Sequence, residues 1–160
     1  MTPGDPRVLD PDHAPTPFTA AEIKEGCPPG RTIHILVEET GRDSYVRVNR
    51  FVAGDDKGAT VEVHDLDAGG IPLGPVETSE VTWEVFQSHA SFPRDIVTIG
   101  DETLETPLGT LACLLYTVEA EATTSRFWFA KSLPGMPVRY ETVADGTLTS
   151  RATVIHNVYE

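Results

Sequence analysis

Residues 109–118 read GTLACLLYTV, and this stretch decides the fold class. An apolar stretch of this length between turn signals predicts a central strand that is covered on both faces. It lies within residues 104–158, which read as several β-strands joined by tight turns containing Gly or Pro. The two faces of the predicted strand carry Leu111, Cys113 and Leu115 on one side and Ala112, Leu114 and Tyr116 on the other.

Further strand candidates lie on both sides of this stretch. Residues 31–39, 45–52 and 60–66 alternate with period two and are separated by hairpin-length turns, and residues 71–76 are a further strand candidate. Residues 126–130, 136–143 and 148–158 follow, with Ala144-Asp145-Gly146 as a hairpin signal. The sequence therefore predicts a mainly β protein, a curved antiparallel sheet (open half-barrel) of about eight to ten strands.

Two helices accompany the predicted sheet. Thr19 and Glu22 form a capping box, and Gly26 ends this short N-terminal helix. In residues 82–90, Trp83, Phe86 and Ala90 recur at helical spacing, which predicts one helix packed on the concave face. The alternation of Val81, Trp83 and Val85 leaves a strand open as the other interpretation.

Composition limits the classes of function. The 160 residues suit one β-rich domain, residues 18–160, and the proline-rich residues 1–17 predict a disordered N-terminal tail. The formal charge of −13, from 25 acidic and 12 basic residues, argues against nucleic acid as a partner. The sequence has no apolar run of the roughly 20 residues that a membrane span requires, and no export signal, so we expect a cytoplasmic protein. Cys27 and Cys113 are expected to be free thiols.

Two segments of the sequence resemble segments of other proteins. Thr106-Pro107-Leu108-Gly109-Thr110 precedes an apolar strand, and residues 127–138 read FWFAKSLPGMPV. This pattern resembles a family of uncharacterised bacterial proteins and is more distantly similar to open β half-barrels of the lipoprotein-carrier type. The resemblance implies a concave sheet with a helix against it, and no established activity.

Catalytic and metal-binding patterns are weak. His34, His64, His89 and His156 do not form an HxH or HExxH pattern, and we assign no metal site. The sequence has no phosphate-binding glycine motif and no GxSxG elbow, so it indicates no cofactor and no catalytic residue. An enzyme is the less favoured class. Its one candidate is His89, which follows the second helix in a constrained loop.

The aromatic residues mark where a ligand would bind. Sites for small molecules are concave and apolar, with few polar groups. The first hypothesis is a non-enzymatic binding module that holds an apolar or lipid-like small molecule between sheet and helix. The alternative is a protein–protein interaction module that docks through an edge strand or the loop from Leu133 to Pro137, and the third is an enzyme that uses His89. The candidate ligand-binding residues are Trp83, Phe86, His89, Tyr116, Arg126, Trp128, Arg139 and Tyr140.

Overall fold

A single antiparallel sheet of nine strands forms the protein in the computed structural model, which describes residues 4–159. The strand order is β4-β3-β2-β1-β9-β8-β7-β6-β5, so the sheet is open and ends at β4 and β5. This confirms the predicted fold class. The strands are β1 Thr32–Glu39, β2 Tyr45–Gly54, β3 Gly58–Leu66, β4 Glu77–Thr82, β5 Val97–Thr106, β6 Gly109–Glu119, β7 Thr123–Ala130, β8 Arg139–Ala144 and β9 Thr147–Val158.

Seven strands lie where the sequence predicts them, and the sequence missed the two edge strands. β4 and β5 are mostly exposed and polar, so they lack the buried face that produces an alternating pattern. The predicted strand at residues 71–76 is wrong. This segment is exposed, and within it the structure has only an isolated bridge between Leu66 and Pro72.

Both predicted helices are present. Helix α1, Ala20–Gly26, begins with the predicted capping box, in which the Thr19 side chain accepts from the Glu22 amide. Helix α2, Trp83–Ser88, has Thr82 as its N-cap and His89 as its C-cap. The Trp83 indole donates to the Asp55 carbonyl at 2.7 Å, which holds the start of α2 against the β2–β3 turn. Neither helix is long and apolar enough to cross a bilayer, as far as the described residues go.

The N-terminal segment differs from the predicted disordered tail. Residues 4–17 pack against the domain, and Ala14 and Thr16 are buried; residues 1–3 lie outside the described part. The Ala14 amide donates to the Phe92 carbonyl at 2.9 Å, and the Tyr116 hydroxyl donates to the Pro15 carbonyl at 2.6 Å. Prolines here remove backbone donors without preventing the remaining groups from pairing with the domain, and this is why composition misled.

Buried Gln87 joins the N-terminal segment to both helices. Its Oε1 accepts from the Ala20 amide at 2.9 Å, and its Nε2 donates to the Pro6 carbonyl and the Thr16 hydroxyl. A single side chain on α2 therefore satisfies polar groups of α1 and of residues 4–17, and these segments close one end of the concave face.

Candidate functional site

An apolar cleft of about 460 Å³ lies between the concave face of the sheet and α2. This volume falls within the range of small-molecule sites. Side chains from β1, β2 and β3 form one wall, α2 and the residues after it form the roof, and β7 with the loop before β8 forms the other wall. The described residues that line it include no Lys, Arg, Asp or Glu.

Three of the candidate residues line this cleft: Phe86, His89 and Tyr140. Phe86 contacts the ring of Phe51 at a centroid distance of 5.9 Å, and Tyr140 stacks on Phe127 at 5.1 Å. His89 is exposed at the C-cap of α2, and its ring meets the edge of Phe86. The aromatic side chains thus cover opposite walls of the cleft.

Two further candidates, Trp83 and Tyr116, are buried but do not line the cleft. Trp83 packs beside Phe86 and makes the hydrogen bond that holds α2 in place. Burial raises the pKa of Tyr116 to about 12, because its hydroxyl lies under the N-terminal segment. Both residues therefore support the cleft without reaching its surface.

The remaining candidates, Arg126, Trp128 and Arg139, lie on the opposite face of the sheet. Alternation along β7 places Trp128 opposite to Phe127 and Phe129, and Arg139 is the partner of Trp128 on β8. The Trp128 indole donates to a Glu102 carboxylate oxygen at 3.2 Å. The structure does not bring these three side chains to the cleft.

Sequence reasoning missed Asn49 and Met136, which meet at the end of the cleft. Asn49 Nδ2 lies 3.9 Å from the Met136 sulfur. Both residues, together with Tyr140, also border a second cavity of about 420 Å³ on the same face. We call this second space the polar cavity, because Glu39, Tyr45, Arg47 and Arg151 line it.

The loop from Leu133 to Pro137 forms part of the cleft and is held from behind by Arg31. Buried Arg31 donates through Nη1 to the carbonyls of Gly26 and Pro134, at 3.0 and 2.7 Å. Gly135 has a φ of 128°, and a Cβ there would lie 3.3 Å from both Arg31 Nη1 and the Cys27 sulfur. Glycine therefore allows the loop to approach this pair closely.

Cys27 lines the cleft, and its thiol lies 3.2 Å from Arg31 Nη1. Burial raises the pKa of the Cys27 thiol, and the Arg31 charge offsets part of that effect. Cys113, on the opposite side of the sheet, also has a pKa raised by burial. Both cysteines are free, and a raised pKa disfavours the thiolate that nucleophilic catalysis requires.

The predicted histidines separate between the two faces. His34 and His156 are cross-strand neighbours whose ring centroids lie 5.6 Å apart, on the face opposite the cleft. Burial lowers the pKa of His34, and the charges of His156 and His64 lower it further. His89 lies at the cleft. Within residues 4–159, no group of three or more His, Cys, Asp or Glu is placed to hold a metal ion.

The comparison with solved structures supports the fold. A crystal structure of a Bacteroides fragilis protein with a YmcC-like fold matches with a TM-score of 0.50 and 12% identity. The match covers 81% of this chain and 96% of that chain. At this identity it establishes a similar fold and nothing about activity. No family model matches the sequence, and no curated protein does.

Proposed function

We propose that this protein is a non-enzymatic binding module that holds an apolar or lipid-like small molecule between its sheet and α2. The observation that carries the proposal is the cleft of about 460 Å³, whose described lining is largely apolar and aromatic and contains no Lys, Arg, Asp or Glu. Burial of apolar surface is the main source of affinity in such a site, and the existing cavity avoids the cost of opening one.

The architecture gives the proposal further support. An open antiparallel sheet with a helix on its concave face is also what the similarity to lipoprotein-carrier half-barrels implies. The cleft is a space between elements that are each held by separate contacts, α2 through Trp83 and the 133–137 loop through Arg31. We therefore propose carriage or sensing of an apolar compound, in the cytoplasm.

Two neighbouring residues on β4 offer a matched test. Ser79 and Thr78 are both exposed on this edge strand, but Ser79 lines the cleft and Thr78 faces the opposite side. Ser79→Trp should fill the cleft, whereas Thr78→Trp adds the same side chain outside it. Since both sites are at an edge, neither change disturbs a packed core.

The measurement is titration with N-phenyl-1-naphthylamine, an uncharged dye that fluoresces in apolar surroundings, excited where tryptophan does not absorb. We expect saturable binding of one dye by the wild-type protein and by Thr78→Trp. Ser79→Trp should weaken it by about tenfold or more, because the indole occupies the space of the dye. Absence of saturable binding in the wild type, or equal binding by Ser79→Trp, would overturn the proposal.

The docking alternative receives less support at the loop that suggested it. Residues 133–137 are half-buried, and Gly135, Met136 and Pro137 face the cleft. The enzyme alternative needs a carboxylate near His89 and a cysteine. His89 and Cys27 both border the cleft, but the described lining has no carboxylate.

A further inference from the structure

Asn49 is a polar side chain of the cleft whose amide oxygen has no hydrogen-bond donor among the described residues. It lies on β2 between Ile33 of β1 and Val63 of β3, and all three residues line the cleft. Its Oδ1 is shielded from solvent and has no hydrogen-bond partner within residues 4–159. The other described side-chain atoms in this condition, on His34 and Arg139, lie on the opposite face.

The contact with Met136 agrees with the orientation of the Asn49 amide in the structure. A thioether sulfur accepts hydrogen bonds and donates none, and the amide NH2 faces Met136 at 3.9 Å. The free atom is therefore the oxygen, an acceptor. A buried acceptor without a donor is costly, and a ligand that supplies a donor removes that cost.

The charges around Asn49 favour an uncharged ligand. The described lining of the apolar cleft has no lysine or arginine, and its one basic side chain is His89, exposed at the C-cap of α2. An ionised headgroup beside Asn49 would therefore lose hydration without a lysine or arginine as counter-charge. The two arginines of the polar cavity already have partners, since Arg47 pairs with Asp65 at 2.9 Å and Arg151 pairs with Glu141. A carboxylate already balances each of these charges, so an anionic ligand would gain less from them than from an unpaired arginine.

We infer that the ligand is an uncharged amphiphile with a hydroxyl group, and that Asn49 Oδ1 accepts a hydrogen bond from this hydroxyl. This inference rests on the proposed function. The apolar tail lies in the cleft, the hydroxyl lies at the junction beside Asn49 and Met136, and the rest of the head extends into the polar cavity. Asn49 is then the residue that selects alcohols over hydrocarbons and carboxylates.

Three compounds that each have a ten-carbon chain test this selection: 1-decanol, its methyl ether and decanoate. Their affinities are measured by displacement of N-phenyl-1-naphthylamine from the wild type and from Asn49→Leu. We expect the wild type to bind decanol about tenfold tighter than the ether, because only the alcohol donates to Oδ1. Decanoate should bind more weakly than decanol. In Asn49→Leu, which keeps the branching and the number of side-chain heavy atoms, decanol and the ether should bind alike.

The outcomes separate this inference from the proposed function. Equal affinity of decanol and ether in the wild type, tighter binding of decanoate, or a preference for decanol that persists in Asn49→Leu would each overturn the role of Asn49 and leave the cleft as a binding site. Failure of the wild type to bind the dye would overturn both, whereas dye binding that none of the three compounds displaces would overturn the role of Asn49. If Asn49→Leu does not fold, the wild-type comparison alone decides.

Discussion

The unpaired acceptor of Asn49 should lower the stability of the protein when no ligand is bound. Asn49→Leu replaces that acceptor with an apolar side chain of similar size among Ile33, Val63 and Met136. We expect the free energy of unfolding of the ligand-free protein to rise by about 1 kcal/mol, measured by urea denaturation.

Asn157→Leu is the matched control for this change. The Asn157 Oδ1 accepts from Arg31 Nε at 2.8 Å, so its removal leaves a buried guanidinium donor unpaired. We expect Asn157→Leu to lower the free energy of unfolding by about 1–3 kcal/mol. A loss of stability in Asn49→Leu equal to that of Asn157→Leu would contradict the account of Asn49.

His34 predicts how stability depends on pH. Its pKa in the folded protein lies below the ordinary 6.5, so below that pH the unfolded chain binds more protons than the folded one. Its contribution to stability is complete above pH 6.5 and is lost as the pH falls from there through the folded pKa. His156→Gln removes one of the neighbouring charges.

An NMR titration of the His34 ring measures this effect. In His156→Gln we expect the pKa of His34 to rise toward 6.5 and the loss of stability on acidification to become smaller. His13→Gln is the control, because His13 lies in the N-terminal segment and contacts Ser91, not His34. A His34 pKa that is unchanged in His156→Gln, or shifted equally in both variants, would contradict the assigned cause.

At the scale of elements, Gln87 holds the N-terminal segment on α2. Gln87→Ala removes three hydrogen bonds, those that Gln87 makes with the Ala20 amide, the Pro6 carbonyl and the Thr16 hydroxyl. We expect the free energy of unfolding to fall by about 1–3 kcal/mol and a protease to cleave within residues 4–17, detected by mass spectrometry. Ser88→Ala, an exposed position of the same helix, should remain resistant. Equally fast cleavage of the wild type would instead favour the disordered tail.

The strands that the sequence predicted are those with a buried face. Alternation identified β1, and a continuous apolar stretch identified β6, because burial of one or both faces requires apolar residues there. β4 and β5 were not predicted because they are exposed edge strands, with Glu77, Glu80 and Asp101 among their residues. Acidic side chains on a free edge also oppose pairing with other chains, so the polar character that prevented their prediction has a physical use.

Only part of the candidate site could be predicted from the sequence, because the residue types are visible there and their long-range contacts are not. Phe86 and Tyr140 were identifiable because aromatic side chains mark apolar space, whichever strand carries them. Trp128 and Arg139 were assigned with them, although the alternation of β7 and β8 turns both outward. Asn49 has no local signal, since its significance depends on Met136, which lies 87 residues later in the chain.

In the molecule as a whole, the cleft belongs to an open sheet. The sheet ends at β4 and β5 without closing into a barrel, and a space of about 460 Å³ remains between its concave face and α2. The net charge of −13 favours solubility and repels anionic compounds from a distance, in agreement with an uncharged ligand.

Native mass spectrometry of the protein purified from its own host, with denaturing extraction of any bound molecule, tests whether the cleft holds an apolar ligand. We expect one uncharged apolar molecule per chain in the wild type and in Thr78→Trp, and its loss in Ser79→Trp. A bare wild-type chain, or the same adduct on Ser79→Trp, would overturn the proposed binding.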